Sequence, residues 1–253
     1  MRYTSRWRNL RYHLRTAEWE TLREYQHSWS GSQRLPWLAL LRSSWQHGTS
    51  FADYYRYRFF EKTPVQRRSY ITTSLRHELT RQLNDPNSAE LLKDKACFKL
   101  HFADLLGREI WSWSELQQLD PALQPPRLVL KPRWGQQGEG ILFPENFASW
   151  VQARHWIQAQ LQDPDRYVFE AYIVQHPALA ALNPSSLNTL RVVTCLQADQ
   201  VEIWALALRI GTRPGTDNFS NGGLGLEISL DGVLLPPAVK KNPFAPPCLV
   251  HPV

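Results

Sequence analysis

The first third of the chain repeats apolar positions with the period of an α-helix. From Leu10 to Leu22 apolar residues recur at spacings of three to five, which predicts a first helix over residues 7–28. Glycine and proline residues interrupt the pattern, and Ser50 or Thr49 supplies a cap for a later helix. Further helices are predicted over residues 37–46, 51–60 and 66–83. We therefore expect a helical N-terminal region over residues 1–85.

After Pro86 the pattern changes to short apolar or alternating runs that are typical of β-strands. We expect strands over residues 168–174, 189–196 and 201–210 that belong to one sheet, the last two forming a hairpin. Asp231-Gly232 is a hairpin turn signal between two final strands. Further strands are expected at residues 110–113 and 128–130, and helices at 91–106 and 147–161. The predicted fold class is α+β, with residues 86–253 as the second domain.

The composition is that of an ordinary globular protein. Of 253 residues 43% are hydrophobic and 21% are charged. The sequence lacks a run of 18 apolar residues and a secretory signal, which predicts a cytoplasmic protein without a membrane span. The three cysteines are widely spaced and contain no CxxC pair, so we expect reduced core residues rather than a disulfide framework or a zinc site.

The positive charge of the chain is concentrated at its N-terminus. Residues 1–85 contain 15 Lys and Arg against 7 Asp and Glu, whereas the remainder has a small negative excess. The arginines among the first fifteen residues are interleaved with Trp7 and Tyr12, which could form a surface for nucleic acid or another acidic partner. No recognition motif accompanies the charge. A solvated helix face is therefore favoured over a surface for nucleic acid.

The richest candidate for chemistry is the segment LVLKPRWGQQGEGI, residues 128–141. An apolar strand ends at Lys131, and Gly135, Gly138 and Gly140 follow in a loop. Glycines allow backbone N–H groups to approach an anion, and the ammonium adds a point charge for the same oxygens. The segment matches neither the P-loop nor the dinucleotide-binding pattern. A phosphate-binding loop and a glycine-rich hairpin with an edge lysine remain equally compatible with it.

Three of the charged residues inside the predicted strands are candidates for a binding site. Glu170 lies in an apolar strand and must face water, a partner or a ligand, because burying it unpaired is costly; an exposed sheet edge is the simpler alternative. Arg191 and Arg209 lie in the two strands of the hairpin and can project from the same face. They suggest an anion site, although pairing with Glu170, Glu202 or Asp217 explains them equally well. The polar loop of residues 216–223 follows.

The order of these motifs resembles the ATP-grasp fold. The motifs are Lys131 with its glycine loop, then EAYIVQHP, NTLRVVT, ALRIG and DNFSNGG. Within that fold the chain is similar to the sugar-transfer-associated or α-L-glutamate-ligase-related group, over about four fifths of its length. The resemblance implies two antiparallel β subdomains that hold ATP between them. It also implies a carbon–nitrogen ligase that activates a small carboxylate as an acyl phosphate for attack by an amine, as in polysaccharide or sugar-conjugate biosynthesis.

The resemblance also implies roles for individual residues. Lys95 and Lys131 would contact the nucleotide phosphates, beside the loop residues Gly135, Gln136 and Gly138. The hinge strand would bind adenine and ribose through Glu170, Ala171, Tyr172 and Ile173, with His176 as a neighbour. Arg191, Arg209 and Asn221 would hold the γ-phosphate and the acyl phosphate.

The expected magnesium ligands are not found in the sequence. ATP-grasp enzymes typically carry an Asp and a Glu-x-Asn on late strands, and the acids after the hinge do not form that pattern. The metal ligands are thus unknown, although the resemblance implies Mg²⁺ together with ATP. We expect a truncated last subdomain, with nucleotide binding that depends little on Mg²⁺ and slow turnover. A nonenzymatic nucleotide-binding relative and a basic nucleic-acid-binding module are the alternatives.

Overall fold

The computed structural model describes residues 3–135 and 138–250. Within them the chain has a helical N-terminal region followed by two antiparallel sheets, which confirms the predicted α+β class. It divides into two compact units: Met1–Asp85 with Pro236–Val250, and Pro86–Leu235. None of the helices in the described ranges combines the length and the apolar composition needed to cross a bilayer.

In the described residues the first unit contains six α-helices. They are α1 Tyr3–Arg15, α2 Trp19–Ser30, α3 Trp37–His47, α4 Phe51–Arg56, α5 Pro64–Arg68 and α6 Thr73–Leu83. The prediction of single helices over residues 7–28 and 66–83 is wrong, because each region forms two helices. In the segment between α5 and α6 the Tyr70 ring contacts the rings of Tyr57 and Phe59, and Thr72 donates a hydrogen bond to the carbonyl of His47.

An aromatic core holds the first unit together. Tyr25, Tyr55 and Phe59 are almost fully buried, and the Phe244 ring from the C-terminal segment packs on Tyr25 and Tyr55. Asp53 ties α4 to α6 from the edge of this core. It completes a capping box with Ser50, as the sequence suggested for that cap, and accepts hydrogen bonds from the Thr73 backbone N–H and hydroxyl at 2.9 and 2.5 Å.

The rest of the chain supplies five helices and seven strands in the described residues. The helices are α7 Pro86–Lys93, α8 Lys95–His101, α9 Trp113–Gln118, α10 Trp150–Gln160 and α11 Pro177–Ala180. The strands are β1 Ile110–Trp111, β2 Leu128–Pro132, β3 Tyr167–Ala171, β4 Thr189–Gln197, β5 Gln200–Ile210, β6 Leu224–Ile228 and β7 Leu234–Val239. The prediction of one helix over residues 91–106 is wrong, since Asp94 interrupts it and caps α8.

The strands form two separate sheets. One has the order β1-β3-β2 and the other the order β4-β5-β6-β7. The prediction that residues 168–174 share a sheet with the later strands is therefore wrong: β3 pairs with β1 and β2 instead. The predicted hairpin of β4 and β5 is confirmed, and so is the turn at Asp231-Gly232.

The three-stranded sheet has one apolar and one polar face. Leu128, Leu130 and Phe169 are fully buried in a core that also contains Trp150 and Ile157 of α10. Because side chains alternate along a strand, the intervening residues point to the opposite face. Those residues include Val129, Lys131 and Glu170, which lie on β2 and β3. The alternation thus presents Lys131 and Glu170 together on one side of the sheet.

One buried histidine in the first unit makes its stability depend on pH. His13 of α1 is 2% exposed, and its Nδ1 lies 2.8 Å from the Ser44 hydroxyl oxygen of α3. Burial lowers its pKa from 6.5 to about 4, an effect that the nearby Asp53 carboxylate partly offsets. The folded protein therefore keeps His13 neutral at a pH where the unfolded chain binds a proton.

We expect acidification to destabilise the wild-type protein more than a His13→Gln variant. The stabilising contribution is complete above pH 6.5 and is lost as the pH falls toward 4, because only the unfolded state takes up the proton. Between pH 7.5 and pH 5 the extra loss should be about 2 kcal/mol. Urea unfolding of both proteins at the two pH values measures it; equal pH dependence would contradict the assignment.

Candidate functional site

A cavity of about 930 Å³ lies in the second unit, where β2 and β3 of one sheet and β4 and β5 of the other contribute to its lining. Eight of the residues predicted from the sequence line it: Lys131, Gly138, Glu170, Ala171, Tyr172, Ile173, Arg191 and Arg209. Residues separated by up to 78 positions in the chain are thus brought to one cavity. The volume falls in the range of small-molecule sites.

The first wall of the cavity carries a buried ion-pair cluster. Glu170, 4% exposed, lies on the central strand β3 and accepts a hydrogen bond from Lys131 Nζ at 2.7 Å. The same oxygen, Oε2, accepts a second hydrogen bond from Arg108 Nε at 2.8 Å. The alternative of an exposed sheet edge is therefore wrong for Glu170. The two cations stabilise a carboxylate that would be costly to bury alone.

The hinge that follows β3 combines an aromatic ring with a guanidinium. The Arg127 guanidinium carbon lies 4.1 Å from the centre of the Tyr172 ring, and the Tyr172 N–H donates to the carbonyl of Arg127 at 2.8 Å. These contacts hold both residues at the end of the sheet. Ala171 and Ile173 flank Tyr172 in the lining. The result is a partly apolar end of the cavity with a fixed planar ring.

The second wall carries the two arginines, in different environments. Thr189 of β4 pairs with Arg209 of β5, and Arg191 pairs with Ala207, so both arginines lie on one face of the hairpin. Arg209 donates to Asp217 Oδ1 at 2.9 Å, and Asp217 also accepts a hydrogen bond from the Thr189 hydroxyl. Arg191 is exposed and has no carboxylate partner in the described parts of the chain. The pairing alternative thus applies to Arg209 but not to Arg191.

A buried polar network fixes the segment that leads into β4. Asn188, 3% exposed, accepts a hydrogen bond from the Gly211 N–H at 3.0 Å, and Asn183 Nδ2 donates to the Gly211 carbonyl at 2.7 Å. A Cβ atom at Gly211 would lie 2.0 Å from the Ser186 hydroxyl oxygen. Only glycine therefore fits between the two asparagines. The network joins the start of β4 to the end of β5 beside the cavity.

The glycine loop after β2 has a backbone that favours glycine. Gly135, Gly138 and Gly140 have φ angles of 123°, 81° and 70°, and a Cβ atom at Gly140 would approach Pro132 Cγ to 2.9 Å. Of these glycines, Gly138 lines the cavity. Gln136 lies outside the described residues.

Besides Gly135, two predicted residues lie outside the lining of the cavity. Lys95, at the start of α8, directs its ammonium to the carbonyls of Pro132, Arg133 and Gly135 at 2.9, 3.4 and 3.2 Å, and it does not line the cavity. Burial lowers its pKa, and the neighbouring Lys131 cation adds to this effect. Asn221 also lies outside the lining, in a short turn after Asn218. Lys95 therefore contacts the loop backbone rather than the cavity.

The segment before α8 reinforces this loop with an ion pair. Asp94 accepts two hydrogen bonds from the Arg133 guanidinium, at 3.1 and 2.6 Å, and caps α8 through the Ala96 N–H. The hydrogen bonds from Arg133 hold the pKa of Asp94 below its usual value. Asp94 and Lys95 thus bind the same loop from adjacent positions.

The carboxylates of the cavity do not fit a magnesium site. Glu170 is bound by Lys131 and Arg108, and Asp217 is bound by Arg209. Within residues 3–135 and 138–250, no group of three or more His, Cys, Asp and Glu side chains could hold a metal ion. Mg²⁺ prefers several oxygen ligands that are free to coordinate it.

Sequence reasoning missed several residues of the cavity. Arg127 and Thr189 line it, and Asp217 was considered only as a partner for the arginines. Arg108 contacts Glu170 from a position before β1 that no pattern singled out. A buried carboxylate on a strand requires a neutralising cation, and this requirement is the signal that points to a residue such as Arg108. The sequence does not identify that residue, because it does not show which strand lies beside β3.

The comparison with protein families agrees with this geometry. The family model for sugar-transfer associated ATP-grasp proteins matches residues 74–253, which is more than two thirds of the chain. No curated protein and no solved structure matches the chain. The match covers both sheets, the glycine loop and every residue of the cavity. The chain belongs to the sugar-transfer associated ATP-grasp family.

Proposed function

We propose that the cavity binds ATP. The observation that carries the proposal is the convergence of Lys131 from one sheet and of Arg191 and Arg209 from the other on a single cavity. The phosphates would lie between these three cations, and the adenine ring would lie toward Tyr172 and Ile173. This orientation places the charged end of the ligand against the charged residues and the planar end against the apolar hinge.

The charge of the lining supports an anionic ligand. Four cations line the cavity, namely Arg127, Lys131, Arg191 and Arg209, against the two carboxylates Glu170 and Asp217. The excess positive charge favours a polyphosphate, and neither Arg127 nor Arg191 has a carboxylate partner to leave within the described residues. Cations fixed in place before the ligand arrives also stabilise charge that develops during phosphoryl transfer.

We further propose that the protein is an ATP-dependent carboxylate–amine ligase. A carboxylate oxygen of the substrate would attack the γ-phosphorus, and ADP would leave. An amine would then attack the acyl carbon, and inorganic phosphate would leave with the amide bond formed. The protein contributes positioning and charge stabilisation to such a reaction rather than covalent chemistry. The family description suggests that one of the substrates belongs to sugar-conjugate or polysaccharide biosynthesis.

The helical residues 1–85 are proposed as a separate domain that serves as a structural layer or as a surface for an acidic partner. Arg8, Arg11 and Arg15 are exposed on α1 together with Trp7 and Tyr12. The Trp7 ring also contacts Trp45, and the Tyr12 ring contacts His77, so part of the aromatic surface is used within the unit. Sequence-selective binding of RNA or DNA at physiological salt would contradict this assignment.

Lys131→Ala should weaken ADP binding about tenfold or more, because a hydrogen bond between charged groups is typically worth about 1.5–3 kcal/mol. Isothermal titration calorimetry measures the change. Arg108 remains paired with Glu170 in this variant, so the fold should be retained. Lys93→Ala is the matched control: Lys93 is exposed on α7 and pairs with Glu90 away from the cavity. Equal ADP affinity of wild type and Lys131→Ala would rule out the phosphate contact.

The two arginines should differ in their effect on stability. Arg191→Ala should weaken ATP binding and leave the free energy of unfolding nearly unchanged, because Arg191 has no carboxylate partner in the described residues. Arg209→Ala should weaken binding and also destabilise the protein by about 1–3 kcal/mol, because it leaves the buried Asp217 with a poorer set of donors. Calorimetry and urea unfolding separate the two effects. The assignment fails if both variants lose the same stability.

Ligase chemistry should be visible as an acyl phosphate. With ATP, Mg²⁺ and hydroxylamine, a panel of amino acids and sugar acids should include a carboxylate that gives both ADP and a hydroxamate, because hydroxylamine captures the activated acyl group. Arg191→Ala should reduce both products together. ADP binding without carboxylate-dependent ADP release across the panel would favour a nonenzymatic nucleotide-binding protein instead.

A further inference from the structure

Arg108 interacts with the nucleotide cavity from outside it. Its Nε donates to Glu170 Oε2 at 2.8 Å, and its Nη1 donates to the carbonyl of Leu106 at 3.4 Å. The side chain is 22% exposed and is absent from the lining of the cavity that contains Lys131. Arg108 therefore cannot be expected to touch a ligand there. Its contact with the site is made through Glu170.

The contact of Arg108 with Glu170 changes the net charge of the cluster that Glu170 forms with Lys131. Glu170 and Lys131 alone form a neutral pair, so the lysine charge would be compensated within the protein. With Arg108 the three side chains carry one net positive charge. Lys131 has three N–H donors, and one of them is directed at Glu170 at 2.7 Å. The remaining donors and the surplus charge are then available to an anion in the cavity.

We propose that Arg108 is a positioning residue that compensates Glu170 and thereby makes the charge of Lys131 available to an anionic ligand. The proposal rests on the proposed nucleotide function for the nature of that anion. It differs from a purely structural role, in which Arg108 only joins the segment before β1 to β3. A structural role would affect every ligand of the cavity, whereas charge compensation affects anions selectively.

The test compares charged and neutral ligands in four proteins. The proteins are the wild type, Arg108→Gln, Glu170→Gln and the double variant, and the calorimetric ligands are ADP, tripolyphosphate and adenosine. Arg108→Gln should bind ADP and tripolyphosphate about tenfold more weakly, whereas adenosine affinity should change less than about twofold. In the Glu170→Gln background the same Arg108 substitution should change ADP affinity less than about threefold, because no carboxylate then competes for Lys131.

Arg108→Lys is the control that keeps the charge and changes the shape. Its ADP affinity should stay within about threefold of the wild type, because a nearby ammonium still compensates the carboxylate. If Arg108→Gln does not fold, as circular dichroism would show, the comparison of Glu170→Gln with the double variant still tests the proposal. Those two proteins should bind ADP almost equally, and unequal affinity would overturn it.

The remaining outcomes separate this inference from the proposed function. Equal losses for ADP and adenosine, or no loss for either, would overturn charge compensation by Arg108 and leave nucleotide binding intact. A wild type that binds tripolyphosphate but not ADP would refute nucleotide binding, and the four proteins would still test Arg108 on tripolyphosphate. A wild type that binds none of the three ligands overturns both proposals.

Discussion

The burial of one negative charge constrains the arrangement of the cavity. Glu170 lies on the central strand β3, where one face of the sheet packs on an apolar core, so its carboxylate can be reached only from the other face. A buried charge without a partner costs several kcal/mol. Lys131 and Arg108 meet this requirement from opposite neighbours of β3: Lys131 lies on β2, and Arg108 lies just before β1. The strand order therefore determines which cations reach the site.

The two walls of the cavity are held by different interactions. Behind β2 and β3 the fully buried Leu128, Leu130 and Phe169 pack against α10, so Lys131 and Glu170 project from a close-packed support. The hairpin of β4 and β5 is exposed over much of its length, with Val192 and Ile203 each 47% exposed. Its cavity end is held instead by hydrogen bonds of Asn183 and Asn188 and by the ion pair of Arg209. Directional polar contacts thus replace packing on this side.

Local signals in the sequence predicted local structure well. The Ser50 cap, the β4–β5 hairpin and the turn at Asp231-Gly232 depend on a few neighbouring residues, and all three occur. The breaks in the predicted helices at Asp94 and before Thr73 were missed, because each is stabilised by a distant partner: Arg133 for Asp94, and Asp53 for Thr73. Periodicity within a segment contains no information about such partners.

The candidate site shows the same division between local and long-range information. Lys131, Arg191 and Arg209 could be selected from residue type and strand position, and the structure brings them to one cavity. The environment of Glu170 could not be predicted, because β3 pairs with β1 and β2 rather than with the later strands. Lys95 has the right charge near the right loop, yet its donors are taken by backbone carbonyls. Residue type alone does not show whether a lysine lines a cavity, as Lys131 does, or binds backbone carbonyls, as Lys95 does.

The ion-pair cluster limits the order in which its members can be replaced during evolution. Loss of Lys131 leaves Glu170 paired with Arg108, and loss of Arg108 leaves it paired with Lys131. Either cation can therefore change first without leaving the buried carboxylate unpaired. Loss of Glu170 first would leave two cations facing each other with no anion between them. A lineage that abandons nucleotide binding should therefore lose a cation before the acid. Its descendants should retain Glu170 with one basic partner as a trace of the ancestral site.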